Sequence, residues 1–142
     1  MNNKPLAALA LLALSGASVA SDVSLVVHTY AYHTDGSLNS HTTGLGLKIH
    51  TDSLTHIVGA YNNSVYEQSA YYMVQHTYPA VGNLSVGWFA GVATGYNVMP
   101  ILPMGGIAIE YSLTKHIGVD INYIPNIGGY SDDATMFSLT IR

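Results

Sequence analysis

From Val23 onward apolar and polar side chains alternate with a period of two rather than the 3.6 of a helix, and clusters of Gly, Pro, Asn and Asp interrupt the alternation. The interruptions leave eight segments, predicted as strands near Val23–Tyr32, Gly44–Thr51, His56–Asn62, Ser69–His76, Leu84–Val92, Gly105–Leu113, Ile117–Ile124 and Thr135–Arg142. The seventh is the clearest. Ile117, Val119, Ile121 and Tyr123 fall on one face, and Gly118, Asp120 and Asn122 on the other. The eighth sets Phe137, Leu139 and Ile141 against Met136, Ser138, Thr140 and Arg142, and the second and sixth repeat the division. Each strand has a greasy face and a polar one.

Alternation alone fits a soluble barrel with an apolar core and a membrane barrel with an apolar exterior. Composition separates them: 49% of the chain is hydrophobic and only 8% charged, against about a quarter charged in an average soluble domain. A soluble barrel needs an outer face rich in Lys and Glu. The polar face here carries mostly Gly, Ser, Thr and Asn with a few charges of both signs, which suits a narrow packed interior. Lipid offers no hydrogen bonds to a free strand edge, so a membrane sheet has to close on itself. Eight strands make a barrel filled by its own side chains, and the 11 tyrosines suit aromatic girdles at the two interfaces. The expected fold is all-β, an eight-stranded antiparallel transmembrane β-barrel.

Met1–Ala20 starts with Lys4, continues through apolar Leu6–Leu14 and exits through Ser18-Val19-Ala20, the pattern of a secretory signal peptide cleaved after Ala20. Residues 21–142 are then expected to form one outer-membrane barrel domain. Beyond this leader no apolar stretch is long enough for a spanning helix. A net charge of −4 without a dense Lys/Arg patch excludes a nucleic-acid partner, and zero cysteines exclude disulfides and thiolate chemistry.

The connections predict orientation. His33–Thr43, Thr94–Pro103 and Pro125–Ala134 are long, Asn63–Gln68 is intermediate, and Asp52–Thr55 and Thr114–His116 are tight. Outer-membrane barrels keep short turns in the periplasm and long loops outside. Thr77–Asn83 breaks the pattern, being too long for a minimal periplasmic turn.

No lipase elbow, zinc helix, phosphate loop or dinucleotide fingerprint occurs. The seven histidines are the proton-transfer groups near neutrality, and His28, His33 and His41 lie on or beside the first long connection. Tyr61-Asn62-Asn63-Ser64 ends the third strand at the same side, so a His and Ser64 could form a base and hydroxyl pair for acyl transfer; Asn-Asn-Ser is equally a turn sequence. His28 and His33, five apart, fall on opposite faces of a regular strand, which argues against a shared metal site. The inward phase of the first strand reads Val26, His28, Tyr30, and Lys48, Glu110, Asp120 and Arg142 read as an inward structural charge network.

At low identity, from Val26 to Ser138, the chain resembles the lipid A palmitoyltransferase (PagP-like) family of small outer-membrane barrels. The landmarks are Val27-His28-Thr29-Tyr30, Gly44-Leu45-Gly46-Leu47, Tyr61-Asn62-Asn63-Ser64, Phe89-Ala90-Gly91-Val92, Pro100-Ile101-Leu102-Pro103 and Tyr123-Ile124-Pro125, in the family's order. The resemblance implies acyl transfer from a phospholipid to lipid A by a monomer without cofactor. His28 would be the general base, Ser64 the hydroxyl of the site and Asn63 the orienting residue where the family has Asp; His33 is the alternative base. The prolines resemble those that interrupt strand pairing in that family and open lateral access for lipid. The alternative expectation is a non-catalytic small barrel with a structural or surface-recognition role.

Overall fold

The computed structural model describes residues 22–126 and 132–142. The expected export signal lies outside the described residues, as does the middle of the last long connection. Among the described residues eight strands occur: β1 (Asp22–His33), β2 (Gly44–His50), β3 (Thr55–Asn62), β4 (Gln68–Val81), β5 (Leu84–Ala93), β6 (Leu102–Ser112), β7 (Ile117–Ile124) and β8 (Ala134–Ile141). Each pairs antiparallel with its neighbours, and β1 pairs with β8, so the sheet closes into a barrel without free edges.

The two faces of the sheet divide as the alternation requires. Leu25, Leu45, Trp88, Ile107, Tyr111, Ile117, Leu139 and Ile141 are exposed on the outside, whereas Ser24, His28, Lys48, Gln75, Asp120, Asn122, Ser138 and Thr140 are buried in the lumen. An apolar exterior around a polar interior inverts a soluble protein and matches a lipid surround. Tyr30, Tyr32, Tyr72, Tyr78, Tyr111 and Tyr123 are among the exposed rings.

Three features depart from the sequence reading. The register between β1 and β8 shifts between His28 and Tyr30, a bulge at Thr29 that inserts one residue without a partner. The extra residue inverts the phase beyond it. Tyr30, expected inside, faces out, and Ala31, 1% exposed, faces in; His28 and His33, expected on opposite faces, both turn to the interior. Second, β4 continues through Pro79, which pairs with Ser85, and through a bulge to Val81, and reverses at Gly82-Asn83. Gly82 enters the left-handed region at φ 56°. What looked like a long connection at Thr77–Asn83 is a tight turn, and the alternation of short and long connections becomes regular. Third, β6 begins at Leu102 and carries Pro103, paired with Val92 of β5.

The seam between β6 and β7 is incomplete. Pairing runs from Ser112↔Gly118 to Ile107↔Tyr123 and stops there. Continued by two residues, the register would set Pro125 opposite Gly105, and Pro125 has no N–H to donate.

Candidate functional site

Side chains fill the lumen in three storeys. Nearest the short turns, Lys48 Nζ contacts Glu110 and lies 3.0 Å from Asp120 Oδ2. Gln75 Nε2 and Thr77 Oγ1 also donate to Glu110, at 2.9 and 2.8 Å, and Thr140 donates to Asp120. Every charge is paired and hydrogen-bonded, the condition for keeping charges in such a place. Arg142, expected in this network, stands apart: it follows the last paired residue of β8 at the rim, and its guanidinium donates to the Ser112 hydroxyl at 3.3 Å.

In the middle storey His28 Nε2 lies 2.7 Å from Tyr71 OH and Nδ1 2.8 Å from Ser138 Oγ. The neutral ring donates through one nitrogen and accepts through the other, and both hydroxyls can rotate to suit. Tyr71 reaches His28 by lying over paired Gly46 and Gly59; a Cβ at either glycine would collide with its ring or hydroxyl. The adjoining void, lined by His28, Tyr61, Tyr71, Met73, Phe89 and Asn122 among others, is about 10 Å³, too small for any substrate.

The top storey opens at the long loops. A cavity of about 180 Å³ is lined by His33, Leu38, Thr42, Ser64, Val65, Tyr96, Val98, Leu102, Pro103, Met104, Ile124, Asp132 and Met136, among others. Its floor is Tyr61, whose hydroxyl bonds Tyr96 OH at 3.0 Å and whose ring faces His28 below, centroids 5.7 Å apart. Leu102, Pro103 and Met104 of β6 and Ile124 of β7 belong to this lining, so both banks of the interrupted seam border the cavity.

The residues singled out from the sequence separate accordingly. His28 is mid-lumen with both nitrogens engaged, whereas Ser64 lines the upper cavity. His33 shares that cavity with Ser64, and neither of its ring nitrogens has a hydrogen-bond partner among the described residues. Asn63, fully buried, points its oxygen at the backbone N–H groups of Val65 and Glu67, at 3.0 and 2.9 Å. Its amide donates to Gly95 O at 2.8 Å and Ser69 Oγ at 3.1 Å. These contacts fasten the 63–67 loop to the 94–101 loop and leave no group of Asn63 for an imidazole. Asn39, which the sequence reading missed, does the same between loops: its N–H donates to Ser64 O at 2.8 Å and its side chain to Asn63 O at 3.0 Å. Thr42, also missed, is 2% exposed with its hydroxyl unpartnered. Isolated polar residues in a loop carry no signal of this kind; only the contacts show it. Asp35, on the rim of these loops, accepts the Ser37 N–H at 2.9 Å, which holds its carboxyl below the usual range and keeps it charged.

No protein-family model and no curated protein matches the sequence. Among solved structures, the chain is similar to a barrel from "De novo design of transmembrane beta-barrels", with TM-score 0.64 and 16% identity over 84% of this chain and 92% of that one. A second is the NMR structure of the designed barrel TMB2.3, with TM-score 0.66, 16% identity and the same coverages. Neisserial surface protein A aligns at TM-score 0.36 and 12% identity, over 84% of this chain and 94% of that one. The two designed barrels show the fold: a closed eight-stranded antiparallel barrel of the transmembrane type.

Proposed function

We propose that this chain is a monomeric outer-membrane barrel that receives the aliphatic chain of a membrane lipid in its long-loop cavity. One observation carries the reading: the mostly apolar cavity is bordered on both banks by the β6–β7 seam, where pairing has stopped. A chain lying in the surrounding leaflet meets there a stretch of wall where the two strands are no longer paired, with an apolar slot behind it. The test uses the absence of cysteine in the wild-type chain. A lipid with a nitroxide at the chain terminus should broaden the methyl signals of Met104 and Met136 in the cavity more than that of Met73 below its floor. A disulfide between Gly105→Cys and Pro125→Cys should remove the difference and its reduction restore it. Equal broadening of all three methionines counts against the proposal.

A second reading, acyl transfer from a phospholipid to lipid A, is favoured by the shared cavity of His33 and Ser64. In this form His33 is the base and Ser64 the hydroxyl of the site, while His28 and Asn63 hold the lumen and the loops. Acyl transfer needs a base beside the reacting hydroxyl and an apolar slot for the chain. Lipid A mass spectra of expressing cells decide it: an added acyl chain that disappears with His33→Ala and with Ser64→Ala supports it. Spectra identical with and without expression leave the non-catalytic barrel.

A further inference from the structure

The chain has four Lys and Arg residues in all, and their positions are uneven. Lys48 is buried in the charge cluster, Lys115 sits in the turn between β6 and β7, and Arg142 follows β8, all towards the short-turn end. Lys4 belongs to the amino-terminal segment outside the described residues. The long-loop end instead carries Asp35, Glu67, Asp132 and Asp133, and Asp132 lines the cavity itself. A phosphate head group is held by Arg, Lys or a metal ion. Here an anionic head would meet carboxylates and no Lys or Arg.

The cavity also has unmet hydrogen-bonding capacity. Thr42 and His33 line it, and among the described residues Thr42 Oγ1 and both ring nitrogens of His33 are buried without partners. Leaving such groups unpaired costs free energy, and a ligand group that reaches them recovers it. A threonine hydroxyl and a neutral imidazole each donate and accept. The group that complements both, and that no nearby carboxylate repels, is itself an uncharged donor and acceptor: a hydroxyl.

We propose that the cavity selects an uncharged amphiphile, an aliphatic chain ending in a hydroxyl, over chains ending in phosphate. The inference rests on the reading that the cavity takes an aliphatic chain, and it turns that reading away from phospholipid and lipid A heads. Its volume of about 180 Å³ compares with the roughly 150 Å³ of an engineered cavity that binds benzene, which sets the scale at about six carbons.

The test titrates the full barrel, folded in lipid nanodiscs, with 1-hexanol and hexyl phosphate, reading the methyl shifts of Met104 and Met136. Hexanol should give saturable shifts, with hexyl phosphate at least tenfold weaker. Thr42→Val, which keeps the shape and removes the hydroxyl, should weaken hexanol at least tenfold, and His33→Phe should do likewise. Equal or tighter binding of hexyl phosphate overturns the inference, as does a Thr42→Val variant that titrates like wild type. If no probe shifts the methionines while the spin-labelled lipid still broadens them, the head-group inference fails and the chain-binding reading stands. Loss of both signals removes both.

Discussion

His28 on β1 and Tyr71 on β4 meet across the lumen, the imidazole Nε2 2.7 Å from the phenolic oxygen. The contact joins non-adjacent strands of the barrel, and it depends on the absence of side chains at Gly46 and Gly59 beneath the tyrosine ring. His28 is therefore part of what fills the barrel. Tyr71→Phe keeps the ring and strands the imidazole nitrogen, so it should cost about 1–3 kcal/mol, measured by urea unfolding in lipid vesicles. No loss of stability would mean that the bond contributes nothing.

Lys48 bridges two carboxylates at once. Lys48→Met leaves Glu110 and Asp120 buried and uncompensated, with an expected loss of about 3–5 kcal/mol. Adding Glu110→Gln and Asp120→Asn to the same chain should recover most of it. The unboiled gel shift, which separates folded from unfolded barrel, checks both variants, and a triple variant no better than the single one argues against charge as the cause.

Asn63 ties two loops together, and its contacts say what an exchange for Asp would do. Asn63→Asp replaces the amide that donates to Gly95 O and Ser69 Oγ with an oxygen that can only accept while ionised. It should lower stability by about 1–3 kcal/mol and increase amide exchange in the 63–67 and 94–101 loops. An unchanged exchange pattern would show that the loops are held by other bonds.

Val119 lies on the outer face between Tyr111 and Leu139, and Asn122 is buried in the lumen. Val119→Arg puts a cation on the lipid face, which costs roughly 2–4 kcal/mol at the midplane and less towards an interface; Asn122→Ser should cost far less. Equal tolerance at the two positions would reverse the assignment of the faces.

The strand number, the closed topology and the identity of the outer face were legible in the chain because side chains on a strand alternate strictly. Ile117–Ile124 needs no tertiary information to declare which residues meet lipid. Low charge with abundant Gly, Ser, Thr and Asn on the other face then identified the interior. What the alternation cannot carry is an interruption of its own period. One extra residue at Thr29 reverses every side chain beyond it, which is why Tyr30 faces out and His33 enters the cavity of Ser64. The strand through Pro79 was hidden for a related reason: a proline reads as a break, yet Pro79 pairs with Ser85 and the ladder runs on through a bulge to Val81. The height of His28 relative to Ser64 depends on how eight strands stagger around the barrel, a property of the closed sheet and of no single segment. Sequence by itself determined the barrel and its two faces; the tertiary structure decided which polar residues share a cavity, because bulges and stagger are settled only when the strands pair.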